Sequence, residues 1–153
     1  MTTRAHSHRL RTGRVSELGR GYLLTTVTFK RECLFDDFTL ARAAILELRR
    51  CDSVQLSNTI AYVLMPDHLH WLVQLQSGEL SDLVRQFKSR SAIAVNRRRG
   101  TAGGPVWQRG FHDQAIRDGA DIRALARYVI GNPIRAGLVD TANQYPHWDA
   151  MWL

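Results

Sequence analysis

The stretch from Tyr62 to Leu75 constrains the fold of this chain most, because the polarity of its second part, from His68 onward, alternates with the period of a β-strand. Pro66 and Asp67 interrupt it with residues that favour a tight turn, so the stretch predicts a β-hairpin. Successive strand side chains point to opposite faces of a sheet. In the second arm one face carries Leu69, Trp71, Val73 and Leu75, and the other carries His68, His70 and Gln74 together with Leu72. This pattern predicts a half-buried antiparallel strand with two imidazoles on its second face.

His68 and His70 have two interpretations. Neutral imidazole is a common metal ligand, and two imidazoles on one face would form half of a metal site. Two ligands do not make a site, however. The pair could equally be two solvent-facing histidines, or two histidines at the edge of the core that hydrogen-bond to their neighbours. The spacing alone leaves these interpretations open.

The rest of the sequence predicts further strands and helices, in the order β-α-β-β-α-β-α. Besides the histidine strand, the predicted elements are strands over 22–29, 54–65 and 111–117, and helices from Asp36 or Asp37 to about Cys51, over about 79–98, and from a cap at 118–121 to about Gly131. This order fits an α+β fold, the ferredoxin-like (split βαβ) antiparallel sheet, with helices on one face and the other face open. We expect a single domain over 22–153 after a basic N-terminal arm over 1–21.

The charge of the chain favours a polyanionic partner. Lys and Arg number 21 against 14 Asp and Glu, and the formal net charge is +7. The sequence contains neither an apolar run of transmembrane length nor an amphipathic helix with a bulky aromatic face, so a nucleic acid is favoured over a membrane surface. The first residues lack the hydrophobic segment of a secretory signal, and we expect a cytoplasmic protein.

Two groups of basic residues are predicted to contact the phosphates of a nucleic acid. They are Arg4, Arg9, Arg11 and Arg14 in the arm, and Arg85, Lys88, Arg90 and Arg97 on the second long helix. The alternative is that the arm is a solvated terminus and that the helix residues form an ordinary solvated face.

Tyr128 and Asn132 lie four residues apart in the last predicted helix, so both project from the same helix face. If this helix lies over the open side of the sheet, Tyr128 can approach a metal ion held by the two histidines, and Asn132 can supply a third ligand. Imidazole and amide oxygen without thiolate suit Mg²⁺ or Mn²⁺ better than a structural Zn²⁺. Pro133 disfavours the α conformation of the residue before it, so the helix is expected to end near Asn132.

Three segments of the sequence resemble one family of proteins. They are Met65-Pro-Asp-His-Leu-His-Trp-Leu-Val73, Val106-Trp-Gln-Arg-Gly-Phe-His-Asp-Gln-Ala-Ile-Arg117 and Arg127-Tyr-Val-Ile-Gly-Asn-Pro-Ile-Arg-Ala-Gly-Leu-Val139. In this order they resemble the single-tyrosine HUH (IS200-like) transposases, and within that family the REP-associated tyrosine transposases. The resemblance runs from about Tyr22 to Trp148 and is much more specific than a pair of histidines.

The resemblance implies a DNA strand-transfer enzyme that cuts and rejoins single-stranded DNA beside a hairpin such as a REP palindrome. In such families two histidines, here His68 and His70, coordinate a divalent metal ion, Mg²⁺ or Mn²⁺. The residue one turn after the tyrosine, here Asn132, completes the coordination. The helix tyrosine, here Tyr128, is the nucleophile and forms a 5′-phosphotyrosine while a free 3′-OH is released. The resemblance also favours a monomer over a dimer.

Two other functions fit parts of the pattern. A noncatalytic nucleic-acid-binding module can use the same ferredoxin-like sheet, but it would present aromatic side chains on its central strands, where this chain has His68 and His70. A metal-dependent hydrolase of a small phosphorylated substrate has less support, because the sequence shows no glycine-rich phosphate loop and no paired carboxylates beside the histidines.

Overall fold

The computed structural model describes residues 16–101 and 103–151. The strands are Gly21–Val27 (β1), Ser57–Met65 (β2), His68–Leu75 (β3), His112–Ala115 (β4) and Trp148–Ala150 (β5), and the α-helices are Phe38–Ser53 (α1), Leu80–Arg99 (α2), Ile122–Ile130 (α3) and Asn132–Arg135 (α4). Across these ranges the five strands form an antiparallel sheet in the order β4-β1-β3-β2-β5. The arm arginines Arg4, Arg9, Arg11 and Arg14 lie outside the described residues.

The first four strands confirm the predicted fold. They have the ferredoxin-like arrangement with β1 and β3 in the centre, and the turn at 66–67 joins β2 to β3 with Met65 opposite His68. The short edge strand β5 was not predicted. It has three residues, of which Ala150 pairs with Ala61 and Trp148 with Val63 on β2. A strand of this length has no alternating pattern long enough to mark it in a sequence.

The starts of α1 and α3 follow the predicted capping residues. Asp37 accepts hydrogen bonds from two backbone amides in the first turn of α1, and Asp121 accepts one in the first turn of α3. Glu79 and Asp82 form a reciprocal capping box at the start of α2, which ends at Gly100 with φ 74°. Among the described residues, no helix is both long enough and apolar enough to cross a membrane.

One face of the sheet packs against α1 and α2 and forms the larger apolar core. The β3 side chains in this core are the predicted ones, Leu69, Trp71, Val73 and Leu75. The rings of Trp71 and Phe87 lie 5.4 Å apart between centroids, and the indole nitrogen of Trp71 donates to the Thr59 hydroxyl over 2.9 Å. Full burial of one large apolar side chain is worth roughly 1.5–3 kcal/mol. These contacts therefore hold β3 in the orientation that puts His68 and His70 on the opposite face.

The tyrosine helix α3 lies over that opposite face, as the sequence analysis required. A second apolar cluster there contains Val63, Met65 and Leu72 of the sheet and Ala126, Val129 and Ile130 of α3. Leu72 has the same strand parity as His68 and His70. The prediction that this face is otherwise open is wrong for β2. The apolar side chains of β2 are buried on both faces of the sheet, and Tyr145 and Ala150 fill the space beside α3 on the second face.

Candidate active site

His68 and His70 lie at the beginning of β3, a strand that is paired on both sides. Both residues are half-buried. Their rings are nearly perpendicular, at 84°, and their centroids are 4.8 Å apart. A central strand has little freedom to move, so the sheet holds the two imidazoles at a fixed separation, which a pair of ligands requires.

Each of the two rings is oriented by a polar contact at Nδ1. Nδ1 of His68 lies 2.7 Å from Oδ1 of Asp67, and Nδ1 of His70 lies 3.0 Å from Oγ1 of Thr25. An ionised carboxylate only accepts, so Nδ1 of His68 donates the proton, and in the neutral imidazole Nε2 then carries the lone pair. When Nδ1 of His70 donates to the Thr25 oxygen, Nε2 of His70 is free in the same way. Partners of this kind are typical of metal-binding histidines.

The electrostatic surroundings favour a neutral His70 and an ionised Asp67. Burial, followed by the charge interactions with His68 and with Arg135, lowers the pKa of His70 to about 4. Burial by itself would raise the pKa of Asp67, but its hydrogen bonds and charge interactions with His68 and Arg31 outweigh burial and lower that pKa. Nε of Arg31 lies 3.1 Å from Oδ2 of Asp67. At pH 7 His70 is therefore uncharged, which is the form that binds metal ions.

Replacing Asp67 by alanine is expected to lower Mn²⁺ affinity by about tenfold or more, because His68 loses the acceptor that orients its ring. Titration calorimetry with Mn²⁺ measures the effect without relying on activity. Asp149→Ala is the matched control, since it also removes a carboxylate that is ion-paired with an arginine, Arg49, over 3.1 Å. Equal Mn²⁺ affinity in the two variants would contradict a role of Asp67 in orienting His68.

Tyr128 is presented to solvent on α3. It is 59% exposed, whereas the other three tyrosines of the sequence, Tyr22, Tyr62 and Tyr145, are buried. The guanidinium carbon of Arg135 lies 3.8 Å from the centre of the Tyr128 ring, and Nη2 of Arg135 donates to the Tyr128 carbonyl oxygen. Tyr128 is therefore the tyrosine that a large substrate can reach.

Asn132 lies immediately beyond α3, which ends at Ile130. The prediction that the helix ends near Asn132 is confirmed, and Asn132 begins the separate four-residue helix α4 with Pro133 in its first turn. Nδ2 of Asn132 donates to the Val129 carbonyl over 2.9 Å. This hydrogen bond uses the nitrogen of the amide and leaves Oδ1, the atom that a hard cation prefers, for another partner.

His68, His70 and Asn132 offer two imidazole nitrogens and one amide oxygen, without a thiolate, as potential ligands of a divalent ion. The assignment of Mg²⁺ or Mn²⁺ to these residues stays a prediction. Within 16–101 and 103–151 there is no group of three or more His, Cys, Asp or Glu side chains that could hold a metal ion. Both cysteines are free, and Cys51 is buried.

The basic residues of α2 differ in the contacts that their charged groups make within the protein. Arg85 and Arg90 are exposed and ion-paired, with Asp82 over 2.8 Å and with Glu47 over 3.1 Å, and Arg97 is exposed in the last turn. Nζ of Lys88 instead donates to the carbonyl oxygens of Gln108 and Gly110, over 2.7 Å each. Burial lowers the pKa of Lys88 to about 8.

These contacts give Lys88 a structural role that the run of charges did not indicate. Its ammonium group holds the segment at 108–110 against α2. DNA contact by Arg85, Lys88, Arg90 and Arg97 stays a prediction, and the three arginines are better exposed for it than Lys88.

Three residues of the site were missed by the sequence analysis. Asp67 has a visible signal, since it directly precedes His68, but its residue type was taken to mark a turn. Arg135 follows Tyr128 by seven residues, about two helical turns, and lies in a segment that carries the family resemblance. Thr25 has no local signal, because its contact with His70 depends on the pairing of β1 with β3.

Comparison with known proteins bears on this site. Residues 22–132 match the family model described as transposase IS200-like. A Haemophilus influenzae protein provisionally named a REP-associated tyrosine transposase is 30% identical over 100 residues, which are 58% of this chain and 56% of that protein. The REP-associated tyrosine transposase of Escherichia coli K12 is 25% identical over 119 residues, which are 76% of this chain and 67% of that protein.

A solved structure supports the fold independently. The structure of a REP-associated tyrosine transposase bound to a REP hairpin superimposes with a TM-score of 0.67 at 24% identity, and the match covers 88% of this chain and 79% of the other. At this identity the likeness shows a shared fold. The matches confirm the family resemblance that the three sequence segments predicted.

Proposed function

Because the chain belongs to the IS200-like transposase family, we propose that it cuts and rejoins single-stranded DNA beside a hairpin, with Tyr128 as the nucleophile. The observation that carries the proposal is the position of α3. This helix packs on the sheet face that bears His68 and His70, and it presents the one exposed tyrosine of the sequence. The names of the curated relatives favour a REP-associated enzyme, and the hairpin bound to the structural relative favours a hairpin substrate.

The proposed reaction is a phosphoryl transfer to Tyr128. Its phenolic oxygen attacks the phosphorus of the scissile phosphodiester, and the bond from phosphorus to the 3′ oxygen breaks. The phenolic proton is lost and the departing 3′ oxygen gains a proton, so the products are a 5′-phosphotyrosine and a free 3′-OH. One phosphodiester bond is exchanged for another, so the energy of the bond is conserved and the reaction is reversible. Attack by a 3′-OH on the phosphotyrosine therefore rejoins the DNA.

His68, His70 and Asn132 are proposed to hold a divalent ion, Mg²⁺ or Mn²⁺. When bound, such an ion would neutralise charge on the nonbridging oxygens of the scissile phosphate. The protein contributes the orientation of the two rings through Asp67 and Thr25, and the neutral state of His70 at pH 7. The nitrogen of the Asn132 amide is held by the Val129 carbonyl, which leaves the oxygen for the ion.

The proposed DNA interface uses the positive charge of the chain. The net charge of +7 favours association with phosphates, and Arg85, Arg90 and Arg97 present exposed guanidinium groups along α2. The arm arginines and Lys88 belong to the same proposal, and a monomer is the expected form. A noncatalytic nucleic-acid-binding module has less support, because β3 places imidazoles on the face where such a module would stack bases on aromatic rings.

The test is the formation of a covalent complex. The protein is incubated with Mn²⁺ and a short single-stranded oligonucleotide that contains a hairpin with single-stranded flanks. A denaturing gel should show a protein–DNA adduct that carries the fragment 3′ of the cut, together with a released fragment ending in a 3′-OH. EDTA and an oligonucleotide with a scrambled palindrome should both abolish the adduct. Binding of the hairpin without cleavage or adduct would overturn the proposal in favour of the noncatalytic module.

A further inference from the structure

Arg135 makes two contacts with Tyr128, one with its ring and one with its backbone. Its guanidinium carbon lies 3.8 Å from the ring centre, a distance at which the planar group covers one face of the ring. Its Nη2 donates to the carbonyl oxygen of the same residue. Arg135 itself is exposed, so these contacts do not result from the burial of its side chain.

Gly131 provides the space that the arginine occupies. A Cβ atom at this position would lie 2.8 Å from Nη1 of Arg135 and 3.2 Å from the Arg127 carbonyl oxygen. The backbone of Gly131 has φ −81° and ψ −5°, which any residue adopts. Glycine weakens helical structure at such a position, so the backbone conformation does not explain its presence. A side chain at this position would crowd both the Arg127 carbonyl oxygen and the Arg135 guanidinium, and of these two groups the guanidinium is the one free to move away from Tyr128.

An exposed tyrosine needs help to keep one orientation. A free ring at 59% exposure samples several rotamers, and each productive attack would have to select one of them. A planar cation on one ring face, anchored to the backbone of the same residue, restricts that choice before the substrate arrives. Restricting a reacting group in this way lowers the entropic part of a reaction barrier.

We propose that Arg135, passing over Gly131, is a positioning residue that clamps the Tyr128 ring in its attacking orientation. This inference rests on the proposed function for its purpose, but the clamp itself is a structural property that can be measured separately.

The experiment compares four variants with the wild-type chain. Arg135→Gln removes the cation, Arg135→Lys keeps the charge but loses the planar group, and Gly131→Ala keeps the arginine but obstructs its path. Arg127→Gln is the matched control, because it removes the charge of another exposed arginine next to Tyr128. Circular dichroism melting curves confirm that each variant is folded.

The first readout does not depend on activity. Tetranitromethane nitrates exposed tyrosines, and Tyr128 is the exposed one of the four, so peptide mass spectrometry can follow its nitration rate. Nitration of Tyr128 should accelerate several-fold in Arg135→Gln, Arg135→Lys and Gly131→Ala, and should stay unchanged in Arg127→Gln. Unchanged nitration in all three clamp variants would overturn the clamp, whether or not the protein cleaves DNA.

The second readout is single-turnover cleavage of the hairpin oligonucleotide with Mn²⁺. The maximal rate should fall by about tenfold or more in the three clamp variants, while the half-saturating DNA concentration changes by less than about twofold. A full rate in Arg135→Lys would mean that charge alone suffices, which overturns the stacking role. If the wild type forms no adduct but nitration responds as expected, the proposed function fails and the clamp stands.

Discussion

Replacing Tyr128 by phenylalanine is expected to abolish both DNA cleavage and the covalent adduct, because phenylalanine has no oxygen to attack phosphorus. The ring and its contact with Arg135 remain, and 59% exposure leaves little burial to lose. The free energy of unfolding should therefore change by no more than about 1 kcal/mol, the size of one neutral hydrogen bond. Mn²⁺ binding and hairpin affinity should be unchanged. Denaturing gels and urea unfolding measure the two effects.

Tyr145→Phe is the matched control for this prediction. The Tyr145 hydroxyl is buried and donates to the Leu64 carbonyl over 2.6 Å. Its removal should cost about 1–3 kcal/mol of stability, because the carbonyl loses a buried partner, while cleavage by the folded protein persists. The two variants thus have opposite expected results. Cleavage that persists in Tyr128→Phe would show that another group is the nucleophile.

Replacing either histidine of the pair by alanine is expected to abolish cleavage and to remove measurable Mn²⁺ binding, since His68 and His70 supply two of the three proposed protein ligands. His68→Ala also releases Asp67, and His70→Ala also releases Thr25. Because both side chains are half-buried, we expect each variant to lose roughly 1 kcal/mol of stability through its lost hydrogen bond and still fold. Titration calorimetry with Mn²⁺ and the adduct gel are the measurements.

The control for the histidine variants is His147→Gln. The His147 imidazole is buried, whereas those of His68 and His70 are half-buried, and it packs against the rings of Phe38 and Tyr145. Its replacement should leave Mn²⁺ binding unchanged and affect stability alone. Wild-type Mn²⁺ affinity in both His68→Ala and His70→Ala would show that the pair is structural, which is the alternative that the His-x-His spacing left open.

Much of the architecture could be derived from local patterns. The period-two alternation of β3 assigned its apolar residues to the core and His68 and His70 to the opposite face, and the core confirms that assignment. Asp37 and Asp121 cap the helices that they were expected to begin. These signals succeed because side-chain periodicity and terminal hydrogen bonds are properties of a short segment, independent of the rest of the chain.

Other features could not be derived because they depend on which segments meet. The short strand β5 exists because Trp148 and Ala150 pair with the edge of β2. The sheet face that bears the histidines is covered along β2 because this strand carries apolar side chains on both of its faces. Lys88 belongs to the same run of charges as Arg85, yet its ammonium is enclosed by the segment at 108–110. A charge pattern does not say which cation a distant loop will cover.

The same distinction, between local patterns and contacts of distant segments, holds for the candidate site. The sequence by itself determined that two imidazoles share one strand face, because this is a spacing along a single element, and that a tyrosine precedes an asparagine by four residues. Only the structure shows that Tyr128 and Asn132 belong to two successive helices. Only the tertiary structure decided that α3 lies over the histidine face, that Thr25 reaches His70 across a strand pair, and that Arg135 folds back over Gly131 onto Tyr128. Burial of apolar surface drives that packing, and because it is nearly non-directional, its outcome depends on the whole chain at once.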